Sequence, residues 1–295
     1  MAQVKFGSVH TIQKLDCLEK YLRAYVKVFK NKPWAETVYI DAFAGTGKIP
    51  QSAEHPELPL DQDAQDFIIG SVNRALEIDE GFRSYVFIEK GRGKANALEE
   101  VRSKHKRKHI QIMNVDANDG LLELCSQRDW SKTRAVVFLD PFGSQVAWGT
   151  LDAIAKTKAV DLWYLFPAGL SIYRQLGTNG SVHYTHEQSL DRILGTTEWR
   201  TRFIESVDEA PDLFGDSSTS FVKTATPESV TKFMHERMST VFEGGVLDEW
   251  LPLGRNGGHW YSFMFACANP SPKAKDLAMK LARAVMRSGN RGRSI

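Results

Sequence analysis

The sequence predicts a doubly wound α/β fold with a mostly parallel, seven-stranded sheet. Five short apolar runs alternate with helical patterns, as is typical of parallel strands joined by helical crossovers. Two further extended patterns near the C-terminus flank a glycine-rich turn and predict an antiparallel hairpin. The parallel runs occupy residues 37–42, 84–88, 110–115, 135–139 and 161–166, and the hairpin strands occupy residues 245–253 and 259–268.

The remaining elements follow from periodicity. Amphipathic patterns predict helices at residues 17–30, before the first strand, at 148–156, and at 272–287, after the last strand. Residues 171–228 fit no simple strand–helix repeat, and their mixture of aromatic and charged side chains indicates a mainly helical insertion. At 295 residues and 42% hydrophobic content, we expect one domain spanning residues 1–295 with this insertion inside it.

Composition excludes several classes of protein. Lys and Arg total 38 against 36 for Asp and Glu, so the overall charge gives no argument for a polyanionic partner, and a nucleic-acid contact would need a local patch. The N-terminal residues lack an apolar signal core, and no stretch approaches the roughly 18 apolar residues of a membrane helix. We therefore expect a cytoplasmic protein without a membrane partner.

The cysteine and histidine residues do not have the spacing of a metal site. Cys17, Cys125 and Cys267 are far apart, and we interpret them as buried free thiols. His183 and His186 are close together in a polar stretch, but no carboxylate or Cys pattern completes a ligand set. A surface loop is the favoured interpretation there, and no metal is predicted.

The strongest motif is the segment YIDAFAGTGKIP, residues 39–50. It places Asp41, Phe43, Gly45 and Gly47 at the carboxyl end of the first parallel strand, where open α/β sheets bind ligands. Glycine lets the backbone approach a ligand closely because it has no Cβ. Asp41 is then placed to attract a cationic ammonium group.

Three kinds of cofactor site could use such a loop, and the residues separate them. A P-loop needs Gly where Ala42 stands and Ser or Thr where Ile49 stands. A dinucleotide fingerprint needs Gly or Ala at Pro50, and Asp41 would repel a pyrophosphate. The acid instead suits S-adenosylmethionine, which carries both an ammonium and a sulfonium, so this is the predicted cofactor.

Two further acids support the same cofactor. Glu89 ends the second strand, where a carboxylate can accept hydrogen bonds from both ribose hydroxyls. It lies farther from the glycine loop than the usual ~20 residues, and we interpret residues 51–67 as an inserted loop. Asp116, after the third strand, is the predicted contact of the adenine amino group. Asp119 is the alternative, and either residue could instead be a helix N-cap.

The segment VVFLDPFGSQ ends the fourth strand and contains Asp140, Pro141 and Phe142. It resembles the Asp/Asn/Ser-Pro-Pro-Tyr/Phe motif of amino-methyltransferases, although the second Pro is missing. The Asp-Pro-Phe-Gly variant is similar to that of tRNA guanine dimethyltransferases. In this interpretation, Asp140 accepts a hydrogen bond from a poorly nucleophilic exocyclic amine, and Phe142 stacks on the flipped base. These three residues are the predicted catalytic set.

Together, YIDAFAGTGK, FIEK, FLDPFGSQ, the following Trp148 and the late HWYSFMFACANP resemble the three-Cys-motif partner family (TcmP). The resemblance spans most of the chain, and residues 171–228 carry little of it. It implies a class I methyltransferase-like fold, S-adenosylmethionine as cofactor, and association with a separate radical-enzyme-like protein that bears the three cysteines. The scattered cysteines of this chain are not that motif.

Two functions of different classes therefore compete, with an NAD-dependent oxidoreductase as a third. The leading hypothesis is an N-methyltransferase acting on a base of RNA or DNA. Its insertion should fold over the crevice and present Tyr173, Arg174, Tyr184 or Arg192 toward Phe142. The second is a methyltransferase-fold partner module for a three-Cys-motif protein, which should expose an apolar patch on the insertion.

Overall fold

The computed structural model describes residues 9–45, 70–177, 180–208, 219–254 and 258–290. Seven of its strands form one sheet, and two form a separate antiparallel pair. The strands are β1 (Glu36–Asp41), β2 (Ser84–Ile88), β3 (Ile110–Met113), β4 (Thr133–Leu139), β5 (Val160–Phe166), β6 (Ile204–Asp208), β7 (Thr219–Lys223), β8 (Leu251–Leu253) and β9 (Tyr261–Cys267).

The main sheet has the order β3-β2-β1-β4-β5-β9-β8. Strands β1 to β5 pair in parallel, and β9 is antiparallel to both β5 and β8. The order reverses beside β1, and this reversal opens a ligand crevice at the carboxyl ends of the parallel strands. The predicted mostly parallel, seven-stranded sheet and its antiparallel hairpin are confirmed.

Helices cover both faces of the sheet. They are α1 (Val9–Phe29), α2 (described over 70–76), α3 (Arg92–Lys104), α4 (Ala117–Gln127), α5 (Trp148–Lys156), α6 (Tyr173–Gln175), α7 (Tyr184–Leu194), α8 (Trp199–Phe203), α9 (Pro227–Ser239) and α10 (Pro272–Asn290). A π-helical turn, Ala168–Ile172, precedes α6. None of the described helices combines the length and apolar character needed to cross a membrane.

Side-chain alternation along the strands divides the core into two layers. Val38 and Ile40 of β1 belong to the layer shared with α4, α5, α7 and α9. Tyr39, between them, belongs to the layer shared with α1, α2 and α10. Both faces of β1 are buried beyond Glu36, and this is why Val38, Tyr39 and Ile40 form an unbroken apolar run before Asp41.

The segment between β5 and β8 carries α6 to α9 and, in addition, the β6–β7 pair, which the sequence analysis does not predict. Its attachment to the core depends on Gly195, which ends α7 with φ +66°. A Cβ at this position would lie 2.1 Å from the Trp148 ring of α5. Only glycine therefore allows this approach.

The three cysteines are free thiols, as expected. Cys17 and Cys267 are buried, whereas Cys125 is only partly buried. The sequence underestimates α1, which begins at Val9 instead of residue 17. The additional helical turns bring Lys14 to the crevice.

Candidate functional site

Three acids lie side by side at the carboxyl edge of the sheet. Asp41, the last residue of β1, pairs in register with Phe87 of β2 and Phe138 of β4. Glu89 and Asp140 each follow two residues after these partners. Parallel pairing therefore brings together three carboxylates that are up to about 100 positions apart in the sequence, as the strand-end argument predicted.

Asp41 is fully buried. Its Oδ2 atom accepts hydrogen bonds from Ser71 Oγ at 2.7 Å and from the Tyr39 hydroxyl at 3.4 Å, and its Oδ1 accepts one from the Phe43 N–H at 3.3 Å. Burial raises the pKa of Asp41 to about 7; the Ser71 hydrogen bond opposes this rise and the charge of Asp140 adds to it. A neighbouring cation would stabilise the ionised form.

Ser71 was not identified from the sequence. It lies in α2, directly after the segment that the sequence analysis interprets as an inserted loop. Only the fold shows that α2 packs against the end of β1.

Glu89 accepts hydrogen bonds from two backbone N–H groups, one in the glycine loop and one at the N-cap of α3. Its Oε2 accepts from Gly45 N at 2.9 Å, and its Oε1 accepts from Gly91 N at 2.7 Å. Gly45 has φ +63°, in the left-handed region that favours glycine. Each carboxylate oxygen retains a further lone pair for a ligand hydroxyl. Gly47 lies outside the described residues.

Asp140 forms an ion pair with Lys14 of α1. The Lys14 Nζ lies 3.5 Å from Asp140 Oδ1, and the two side chains are only 11% and 6% exposed. Burial raises the pKa of Asp140 to about 6 against the opposing effect of Lys14. Burial also lowers the pKa of Lys14, while Asp140 acts to raise it. Asp140 is therefore in an environment where it can exchange a proton near neutral pH, and the environment of Lys14 disfavours its charged form.

Phe142 lies at the surface of the crevice with 36% of its area exposed. Its backbone N–H donates to Gln145 Oε1 at 2.9 Å, which fixes the turn that follows Asp140 and Pro141. The Nζ of Lys94, from the first turn of α3, lies 5.2 Å from the centre of the Phe142 ring. An exposed aromatic ring beside a buried carboxylate provides a stacking surface next to a hydrogen-bond acceptor.

The insertion contacts the loop that follows Phe142. Arg192 of α7 donates to the backbone carbonyls of Ser144 and, at 3.1 Å, of Gln145. Gln175 Nε2 donates to Ser144 Oγ, which also contacts Ser171 Oγ. The insertion thus packs against one wall of the crevice. Of the insertion residues that make these contacts, only Arg192 was predicted from the sequence to face the crevice.

The other three residues proposed to face the crevice have different environments. Tyr173 contacts Lys223, whose Nζ lies 3.7 Å from the ring centre. Burial raises the pKa of Tyr261. The charge of Asp140 adds to this rise, and the charge of Arg174 opposes it. Tyr184 is 67% exposed. Arg174 is therefore the one of these three that shares an electrostatic neighbourhood with Asp140.

Asp116 is the N-cap of α4. Its Oδ1 accepts from the Asn118 backbone N–H at 2.9 Å, and its Oδ2 lies 3.3 Å from Lys90 Nζ. Burial acts to raise its pKa, but the Asn118 and Lys90 hydrogen bonds hold it below the usual value. The alternative, Asp119, is exposed in the first turn of α4. The N-cap role thus accounts for one oxygen of Asp116. A contact between Asp116 and the adenine amino group stays a prediction.

No protein-family model matches the chain, and no curated protein matches it either. Among solved structures, it is similar to an S-adenosylmethionine-dependent methyltransferase from Clostridium acetobutylicum, with 10% identity over 84% of this chain and 90% of that chain and a TM-score of 0.37. It is also similar to the protein LPL1258 from Legionella pneumophila, with 13% identity over 77% and 92% of the chains and a TM-score of 0.37.

The N-terminal domain of EvdMO1 with SAH bound is a further similar structure, at 10% identity over 83% of this chain and 79% of that chain, with a TM-score of 0.35. These similarities are distant. The strand order and register of the chain itself define its fold.

Proposed function

We propose that this chain is an S-adenosylmethionine-dependent methyltransferase that acts on an exocyclic amino group of a nucleic-acid base. The observation that carries this proposal is the row formed by Glu89, Asp41 and Asp140 at the carboxyl edge of the sheet. Asp41 and Asp140 are buried. The charge of Asp140 adds to the burial that raises the pKa of Asp41, and both acids add to the rise in the pKa of Tyr39. Two buried acids beside the partly buried Glu89 favour a cationic ligand, and S-adenosylmethionine carries two positive groups.

The residues present fit this cofactor. Asp41 would attract the ammonium, Glu89 would accept hydrogen bonds from the ribose hydroxyls, and Gly45 would allow close approach of the backbone beside Phe43. Gly47 and Asp116 remain predicted contacts on the glycine loop and at the adenine. When bound, the cofactor supplies an electrophilic methyl group, and the chain supplies orientation and exclusion of water.

Asp140 and Phe142 would hold the target. An exocyclic amine is a poor nucleophile because its lone pair is conjugated into the base. A hydrogen bond from its N–H to Asp140 raises electron density on the nitrogen, while stacking on Phe142 fixes the plane of the base and Pro141 restricts the turn between them. Asp140, with a pKa near 6, can also accept the proton that the methylated nitrogen must lose.

A local cluster of cations supports a nucleic-acid substrate. Lys90 and Arg92 are exposed beside Glu89, and Lys94 extends over Phe142. Three cations within five residues at the crevice rim can contact phosphates even though the whole chain is nearly neutral. The choice between RNA and DNA is left to the assay below.

A second candidate is supported by a different observation. Val207, Phe221 and Val222 of the β6–β7 pair are 45%, 55% and 44% exposed. Exposed apolar side chains on the insertion are the feature expected of a partner module, such as one that binds a three-Cys-motif protein. In that case the crevice would retain its fold and its cofactor without methyl transfer.

A labelled-methyl assay on bulk RNA and bulk DNA tests the proposal. Wild-type protein should label one of the two pools, whereas Asp140→Ala should not, although it should bind the cofactor with nearly unchanged affinity. Cofactor binding without any transfer by the wild type would favour the partner module. Equal transfer by Asp140→Ala and wild type would remove Asp140 from the mechanism.

A further inference from the structure

A second cavity lies at the amino-terminal edge of the sheet, between α1 and α10. It has a volume of about 410 Å³, within the range of small-molecule sites. Asp161, which lines it, is in register with Val136 of β4. Asp140 lies four residues beyond Val136, so the two acids are separated by about 13 Å along the strand direction. The cavity is therefore distinct from the crevice described above.

The walls of this cavity are aromatic. Tyr21, Tyr25 and Phe29 of α1 line one side, and the exposed Trp34 stands among the lining residues with the Arg134 guanidinium 5.1 Å from its ring centre. Leu277 and other aliphatic residues of α10 complete the lining. Such walls suit a flat aromatic ligand, since every nucleobase offers a π-face for stacking.

One carboxylate and three cationic side chains line the cavity. Asp161 contributes a carboxylate whose Oδ2 accepts from the Tyr21 hydroxyl at 2.6 Å. A carboxylate has about four acceptor positions, so Asp161 can accept further N–H donors. Lys32, Arg134 and Lys273 also line the cavity. Three cations against one carboxylate favour an anionic ligand that presents neutral N–H donors to Asp161.

We propose that this cavity binds a guanine nucleotide, with the N1–H and amino N–H groups of the base donating to Asp161 and the phosphate facing Lys32, Arg134 and Lys273. Guanine presents two adjacent donors on one edge, which match the two oxygens of a carboxylate. Adenine presents a donor beside the N1 lone pair, which a carboxylate would repel. A cationic amine would satisfy Asp161 but would add positive charge beside Arg134.

The proposal goes beyond the methyltransferase function and does not depend on it. Titration calorimetry with guanosine monophosphate, adenosine monophosphate and guanosine tests it, with Trp34 fluorescence as a second readout. We expect guanosine monophosphate to bind at least about tenfold more tightly than adenosine monophosphate, because adenine would leave one oxygen of the partly buried Asp161 facing the N1 lone pair without a hydrogen bond. A guanine-containing trinucleotide distinguishes an RNA end from the free nucleotide, according to which binds more tightly.

The sharpest variant is Asp161→Asn. An amide presents one acceptor and one donor, which match the N1–H and the C2 carbonyl of xanthine, so preference should change from guanosine monophosphate to xanthosine monophosphate. Asp41→Asn, in the other site, is the matched control and should keep the wild-type preference. Equal affinity of the wild type for guanosine and adenosine monophosphates, or no heat with either at millimolar concentration, would overturn the proposal.

A second variant covers the case in which Asp161→Asn does not fold. Lys273 is exposed at the start of α10, so Lys273→Glu should leave the fold intact. It should weaken guanosine monophosphate binding about threefold to tenfold and leave guanosine binding unchanged. Equal loss for both ligands, or no loss for either, would contradict the assignment of the phosphate to this rim.

Discussion

The two edges of the sheet place carboxylates in opposite electrostatic surroundings. Asp140 follows β4 at the carboxyl edge and Asp161 opens β5 at the amino edge, and burial raises the pKa of each to about 6. Asp140 has an ammonium partner, Lys14, and a second acid, Asp41, in its electrostatic neighbourhood. Asp161 has a phenol partner, Tyr21, and cations at the cavity rim.

The difference shows that burial alone does not define the chemistry of an acid. At the carboxyl edge, the acids outnumber the cations that are paired with them. The site therefore favours a bound cation, and an acid there can accept a proton. At the amino edge, positive charge lies around the acid, so the site favours an anion with neutral donors.

The largest expected effect is on methyl transfer. Asp140→Ala should lower the rate by at least about 100-fold, the usual contribution of a positioned proton-transfer group. Asp161→Asn should leave the rate within about twofold, because it lies at the other edge. The labelled-methyl assay measures both variants. Similar losses in both would mean that the two edges act through a shared structural effect.

Much of this arrangement is predictable from the sequence. Apolar runs place the five parallel strands to within a few residues, and the strand-end rule then brings Asp41, Glu89 and Asp140 to one edge. That step works because buried parallel strands have a continuous apolar pattern and the acids interrupt it.

The parts that the sequence does not reveal depend on contacts between distant segments. In the sequence, Lys14 is one of several charged residues near the N-terminus, and no neighbouring residue indicates that it contacts Asp140. The β6–β7 pair has mostly exposed side chains, so it lacks the alternation by which strands are identified. Asp161 reads as an ordinary polar start of β5, and only the packing of α1 and α10 surrounds it with aromatic rings.

The next effect is on cofactor binding. Asp41→Ala and Glu89→Ala should each weaken S-adenosylmethionine binding by about 1 to 3 kcal/mol, through loss of a charge-assisted hydrogen bond. Asp161→Asn should leave this affinity unchanged. Calorimetric titration of the three variants provides the test. Unchanged affinity in both crevice variants would show that the cofactor contacts lie elsewhere.

A smaller effect concerns the pH dependence of stability. Because Asp161 has a raised pKa in the folded state, that state binds the proton more tightly than the unfolded state does, and the protonated form is the one that stabilises the fold. Stability from this group is present at low pH and is lost as pH rises through about 6. Between pH 5.5 and 7, the loss should be about 1 kcal/mol.

Denaturant unfolding at the two pH values measures this effect. Wild type should be less stable at pH 7 than at pH 5.5, since Asp41 and Asp140 contribute with the same sign. Asp161→Asn should retain only the part of this pH dependence that Asp41 and Asp140 contribute. An unchanged pH slope in the variant would mean that Asp161 is ionised throughout this range.

The smallest effect is expected for exposed ion pairs, one at each edge. Lys90 pairs with Asp116 at the carboxyl edge, and Lys30 pairs with Glu80 at the amino edge; the lysine side chains are 78% and 62% exposed. Lys90→Ala and Lys30→Ala should each leave the free energy of unfolding nearly unchanged, because solvent screens exposed ion pairs. A larger loss in either variant would show that exposed pairs contribute to the difference between the edges.

The most direct test of the central claim is calorimetric titration of the wild-type protein with S-adenosylmethionine and with its demethylated product. The row of acids at the carboxyl edge predicts binding of both ligands in the micromolar range, about 8 kcal/mol of binding free energy, and a matching rise in melting temperature. The absence of both heat and thermal shift with millimolar ligand would contradict the assignment of this crevice to S-adenosylmethionine.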